Sequence, residues 1–173
     1  MEWRLDLDRV DEQFLLELLN STPVVDGVAL DEFADPDTGC AWLEARGWDA
    51  TPEEWRAVRD ARDDLQAVIR GTAEPATLTR WLAQLSWKPT LDTSGVHWEC
   101  SEPPGRTAAA AAVLAWSALL ASSPGRLRPC GNPECRLFLI DHSKPNSARW
   151  CSMAVCGNRM KARRHYDRVR QSR

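Results

Sequence analysis

Four cysteines near the end of this 173-residue chain fall into two pairs of equal spacing, and no other feature limits the fold as tightly. Cys130 and Cys135 are separated by Gly-Asn-Pro-Glu; fifteen residues later, Cys151 and Cys156 are separated by Ser-Met-Ala-Val. Two thiolates so close in sequence can reach one ion only if the chain turns sharply between them, and Gly131, Asn132 and Pro133 are turn residues. Zinc takes four tetrahedral ligands and favours thiolate sulfur. A site filled by four protein ligands is structural, with no open position for chemistry. A segment of about 45 residues cannot bury enough core alone, so a metal would supply the missing stability. One structural Zn2+ held by Cys130, Cys135, Cys151 and Cys156 is therefore expected. The isolated Cys40 and Cys100 read as small apolar core residues.

A disulfide framework would need a secreted chain. The stretch Met1 to Asp11 is acidic and lacks the apolar run of a signal peptide. The longest apolar run, Ala108 to Trp116, has nine residues, against about 20 for a membrane span. The expectation is a soluble, cytoplasmic protein with no membrane partner.

The net charge of −3 conceals a split. Residues 1–125 carry ten Lys+Arg and 22 Asp+Glu, a balance of −12; residues 126–173 carry twelve and three, a balance of +9. Four thiolates and one zinc would bring the second figure to about +7. A basic tail on an acidic body points to a polyanionic partner, or to docking of the tail on its own body.

The body reads as helical. Val10, Phe14, Leu15, Leu18 and Leu19 fall at helical spacing and predict a helix over about 9–19, broken at Asn20-Ser21-Thr22-Pro23. Residues 24–33 read as an irregular connection. A short helix over 38–46 takes Asp37 as its cap and ends at Gly47. Thr51-Pro52-Glu53-Glu54 is a strong helix start, with Glu54 completing a capping box, and the stop comes at Gly71. A further helix is predicted over 75–85. Residues 89–100 alternate about Ser94-Gly95 and predict a β-hairpin. An alanine-rich helix spans 106–121, and Ser122-Ser-Pro-Gly125 is the expected boundary. The fold class is thus mainly α: a helical domain over 1–125 with one small β-hairpin, followed by a zinc finger over 126–173. In the finger, Leu137–Ile140 and Ala148–Trp150 read as two strands between the cysteine pairs. Knuckle, hairpin and helix make a treble-clef arrangement.

Cys156-Gly157-Asn158-Arg159 follows Arg149-Trp150-Cys151-Ser152-Met153 and precedes Lys161 and Arg163-Arg164. This segment resembles the CGNR zinc finger. The body, with Leu18-Leu-Asn-Ser-Thr22 near its start, resembles the ABATE domain that commonly precedes that finger. The resemblance covers nearly the whole chain. It implies bacterial transcription regulation linked to stress, with the finger as the DNA-binding part.

Around and beyond Cys156, the residues Val155, Ala162, Tyr166 and Val169 recur at helical spacing and predict a buried stripe. Lys161, Arg164 and Arg168 project opposite that stripe; Arg159, Arg163 and Arg170 flank it on one side. A helix with long basic side chains off its packed face suits a nucleic-acid groove. Lys144 and Arg149 could add phosphate contacts, as could the hydroxyls of Ser143 and Ser147. The candidate contacts to double-stranded DNA are therefore Lys144, Arg149, Arg159, Lys161, Arg163, Arg164 and Arg168. For Arg159, just past the last ligand, bracing of the finger is favoured over base reading. A finger this small offers few base contacts, which makes a homodimer plausible. The acidic body would sense a small ligand or a protein. Asn20, Arg59 and Arg62 are weak candidates there, more simply read as caps and surface charges, and the tryptophans are read mainly as core.

Two other classes compete. An adaptor would use the finger to bind an acidic protein. An enzyme reading rests on His97-Trp98-Glu99 with Pro129-Cys130 and Cys135, which superficially resembles a zinc deaminase signature. The cysteine spacing is wrong for that chemistry, and Cys151 and Cys156 would have no role, so no enzyme activity is expected.

Overall fold

The computed structural model describes residues 12–101 and 104–171. Helix α1 spans Glu12–Leu19 and buries Phe14, Leu15, Leu18 and Leu19, the spacing that predicted it. The predicted start of that helix, Arg9 to Asp11, lies outside the described residues. Residues 24–29 are not irregular: β1 (Val24–Val25) and β2 (Val28–Ala29) form a minimal antiparallel hairpin. Its turn is Asp26-Gly27, both at positive φ, a pairing whose twist matches antiparallel strands.

Helix α2 (Pro36–Glu44) starts earlier than expected. Its cap is Asp35, not Asp37, with the Asp35 side chain accepting from the Thr38 N–H and Pro36 in the first turn. The Pro36 ring fixes φ where the missing N–H costs nothing, which makes Asp35-Pro36 the better start. Helix α3 (Pro52–Ile69) begins as predicted, capped by the Thr51 side chain. Glu54, however, does not close a capping box. It is fully buried, and its carboxylate accepts from the N–H groups of Thr107 at 3.1 Å and Ala108 at 2.7 Å. Those are the first residues of α5 (Thr107–Ser122), whose own cap position, Arg106, offers no side-chain bond. Glu54 therefore caps a helix 53 residues away, matching negative charge to unsatisfied N–H groups.

The core lies between α1, α2, α3 and α5. Ala108, Ala109, Ala112 and Ala115 are buried on α5, and such small side chains let helices approach closely. Trp42, Trp55 and Trp81 fill the larger spaces. The predicted helix over 75–85 is a 3₁₀ turn, Pro75–Leu78, running into a short α4, Thr79–Leu82.

Strands β3 (Ser86–Asp92) and β4 (Gly95–Ser101) pair in the predicted hairpin. The register places Trp87, Pro89 and Leu91 opposite Cys100, Trp98 and Val96 on one face. Leu91, Val96 and Trp98 of that face are exposed. His97 lies in β4, and its ring bonds Ser94 and Asp92 near the hairpin's own turn.

The final segment holds β5 (Leu127–Pro129), β6 (Phe138–Ile140) and α6 (Asn158–Gln171). β5 pairs antiparallel with β6. The hairpin therefore encloses the first cysteine pair, and the expected second strand at 148–150 is not among the described strands. β6 packs on α1 and β5 on α3, and Phe138, 1% exposed, belongs to the core of the body. Among the described residues no helix is long and apolar enough to cross a membrane.

Candidate metal centre and basic helix

The β5–β6 hairpin delivers the first ligands. Cys130 extends the ladder by donating its N–H to the Leu137 carbonyl at 2.8 Å. The chain then turns through Gly131-Asn132-Pro133-Glu134, and the Cys135 N–H returns to the Asn132 carbonyl at 2.9 Å. Gly131 donates to the Arg149 carbonyl at 2.7 Å, which ties the knuckle to the segment carrying the second pair. A Cβ at Gly131 would stand 3.0 Å from that carbonyl and 3.2 Å from the Trp150 ring, so the close approach needs glycine.

Cys151 precedes Ser152, whose side chain accepts from the Val155 N–H and opens a single wide π-type turn, Met153–Gly157. That turn carries Cys156 and feeds α6. A Cβ at Gly157 would meet Met153 Sδ at 2.8 Å and Trp150 Cδ1 at 3.3 Å, so a larger residue after the last ligand requires the exposed Met153 side chain to move aside.

The four sulfurs all lie within 4.8 Å of one another. Cys151 Sγ is 3.7 Å from both Cys135 Sγ and Cys156 Sγ. Four ligands at a Zn–S distance of about 2.3 Å on a tetrahedron stand about 3.8 Å apart, so the cluster already has the size of a zinc shell. Burial pushes the Cys135 thiol up to about 11 and raises that of Cys151 as well. Burial works the same way on Cys156 but is outweighed by hydrogen bonds, first of them from Asn132, and its thiol is lowered. Sulfurs this close cannot all carry negative charge without a cation among them. The Asn132 amide donates to Cys156 Sγ at 3.5 Å, and the Cys151 N–H donates to Cys130 Sγ at 3.4 Å. Such donors orient and stabilise thiolate ligands from outside the shell. The cluster thus fits one structural zinc held by Cys130, Cys135, Cys151 and Cys156.

The loop from Asp141 to Ser147 is organised around one carboxylate. Buried Asp141 accepts from the N–H groups of Ser143 at 2.9 Å and Ala148 at 2.7 Å and from Arg128 at 2.8 Å. The Ser143 bonds come first among the causes that hold its carboxyl near 2, with Ala148 and the Arg128 charge behind them.

The residues proposed for DNA contact are dispersed over this scaffold. Lys144 is exposed on the loop. Arg149 and Arg164 approach the ring of Trp150, at 5.4 and 6.0 Å from its centroid. Arg163 is committed to an ion pair with Glu134 of the knuckle at 3.0 Å, which ties α6 to the first cysteine pair. Arg168 donates to the Arg164 carbonyl. Lys161 is exposed on α6.

Two expectations fail here. Arg159 is exposed and, among the described residues, makes no hydrogen bond or ion pair, so it does not brace the finger. The stripe of Val155, Ala162, Tyr166 and Val169 is not buried: Tyr166 is 68% exposed and Val155 56%. Helix α6 leaves the body from the zinc turn, and among the described residues its main packing partner is that turn.

The sequence also hid residues that matter. Asn20 is the docking point for the finger, Arg62 is a buried ion-pair centre, and Trp150 sits where Gly131, Gly157, Arg149 and Arg164 converge. An aromatic set between Arg149 and the ligand Cys151 was the available signal for Trp150.

Comparison with known families agrees with this anatomy. The CGNR zinc finger matches residues 126–169. The ABATE family, described as "Putative stress-induced transcription regulator", matches residues 12–123. No curated protein sequence matches the chain. With a match over most of its length, the chain belongs to the ABATE family, and it carries a CGNR zinc finger behind that domain.

Proposed function

We infer that this protein is a DNA-binding transcription regulator, with α6 as the element that enters the groove and the helical body as a sensor of a ligand or partner. One observation carries the reading. α6 stands clear of the body with Arg159, Lys161, Arg164 and Arg168 in solvent, while its base is fixed to the zinc cluster through Cys156 and Gly157. A free helix with basic side chains fits a major groove, and a rigid base fixes its direction. Lys144 and Arg149 stand ready for phosphates on the neighbouring loop. The finger has the knuckle and terminal helix of a treble clef, and in this reading its zinc is structural and the protein is not an enzyme. The few base contacts available support a homodimer as the binding form, working in the cytoplasm.

The exposed apolar stripe of α6 favours a second reading, an adaptor that binds an acidic protein through the same helix. Fluorescence anisotropy of a labelled duplex, at several salt concentrations, separates the two. DNA binding should weaken with salt at a slope of about −0.9 per neutralised phosphate and vanish on chelation. Lys161→Ala with Arg164→Ala should lower both affinity and slope while zinc content stays the same. No binding at low salt would leave the adaptor reading in its place.

A further inference from the structure

A pocket of about 360 Å³ opens beside the junction of body and finger, lined by α3 residues and by Thr22, Asp31 and Arg136. A volume of this order suits a small molecule. Its charges are unevenly matched. Three guanidiniums, from Arg62, Arg70 and Arg136, face two carboxylates, from Asp31 and Asp63. Arg62 is 1% exposed and takes both carboxylates: Asp31 through both oxygens, one of them at 3.0 Å, and Asp63 at 3.0 Å. Among the described residues, Arg70 and Arg136 have no ion pair, although the Arg136 charge is felt by Asp31; burial, and then the neighbouring Arg136 charge, lower the Arg70 guanidinium from its usual value.

Arg70 is held in place for a ligand. It donates to Gln66 Oε1 at 3.0 Å and to the Arg136 carbonyl at 2.8 Å, and it lies 4.4 Å from the Phe138 ring centroid. Gln66, 5% exposed, is itself fixed by donating to the Leu19 carbonyl and to Thr22 Oγ1. Two guanidiniums without an ion pair, one of them locked by a buried amide, beside carboxylates already engaged by Arg62, make a preorganised anion site.

We propose that this pocket binds a small anion, a carboxylate or phosphoryl group, between Arg70 of the body and Arg136 of the finger. Arg136 directly follows the zinc ligand Cys135, so the anion bridges the helical body to the metal knuckle. The bound anion is then the signal that the body passes to the finger, a step that rests on the sensing reading above.

The test uses the zinc-loaded full chain and inorganic phosphate, titrated by calorimetry against sodium chloride of matched ionic strength. Saturable binding is expected in the wild type and in the Lys161→Ala, Arg164→Ala double variant. Arg136→Ala, at an exposed position, should keep its fold and bind about tenfold more weakly, the loss of one charge-assisted contact. Arg70→Gln should weaken binding similarly. Absence of saturable binding, or equal binding in Arg136→Ala, overturns the site. Repeating the DNA titration with saturating phosphate at constant ionic strength tests the sensing reading separately. A DNA affinity that ignores phosphate, with calorimetric binding intact, overturns sensing and leaves the site standing.

Discussion

The side chain of Asn20 pairs with the backbone of Phe138 in both directions: Oδ1 accepts the Phe138 N–H at 2.7 Å, and Nδ2 donates to the Phe138 carbonyl at 3.3 Å. An amide standing in for a strand satisfies an edge of β6 that would otherwise have no partner there. Asn20→Ala leaves both groups without these bonds. The expected cost is about 1–3 kcal/mol, read by urea denaturation of the zinc-loaded protein. A loss below about 0.5 kcal/mol would mean that water replaces the pair.

Removal of the metal should reach beyond the finger. Cys135→Ser, or chelation of the wild type, lets the knuckle open and loosens β6 beside it. Phe138 is buried in the core of the body, so helices that hold no ligand should melt lower, by about 2–4 °C per kcal/mol lost for a unit of this size. Thermal unfolding followed by circular dichroism at 222 nm (~222 nm reports helix content) measures it. An unchanged helical transition would show that the finger folds without coupling to the body.

Gly39 on α2 is packed against the Trp55 indole and the Phe33 ring. The indole cannot swing away freely, because its N–H donates to the Phe33 carbonyl at 3.2 Å in the core. Gly39→Ala should therefore destabilise the body by about 1–3 kcal/mol through overpacking, although alanine favours helix. A gain in the midpoint of urea denaturation would contradict it.

Glu54 gives a pH dependence with a definite sign. Burial pushes its carboxyl above the usual 4.5, despite the N–H donors of Ala108 and Thr107. The folded state thus holds this proton more tightly than the unfolded chain does. Its contribution to stability is complete below the unfolded value and declines as pH rises through the folded one. Glu54→Gln keeps an acceptor for α5 without the charge. Relative to wild type, its unfolding free energy should improve as pH rises above the unfolded carboxylate value, as denaturation at several pH values would reveal. A constant difference would mean that Glu54 titrates alike in both states.

Much of the site was legible and much of the packing was not. The zinc ligands could be read because a ligand set is a local pattern with fixed spacing, and Thr51-Pro52 announced α3 because caps act within one turn. Glu54, Asn20 and Arg62 were misjudged because their partners lie 53, 118 and 31 residues away. β5 was missed because Leu-Arg-Pro is too short to show alternation. The stripe on α6 was visible as a period, but a period gives the face of a helix and not whether anything covers it.

Helix α6 has a mechanical consequence. It has 14 residues and is held at its N-terminal end by the zinc turn and, partway along, by the exposed Arg163–Glu134 ion pair. At about 1.5 Å per residue it is a lever roughly 21 Å long, so a tilt of about 10° at Gly157 carries its tip roughly 3.5 Å. That is about the rise of one base pair. If the helix enters a duplex as proposed, a small change of angle at its base is thus amplified into about one base-pair step at its tip.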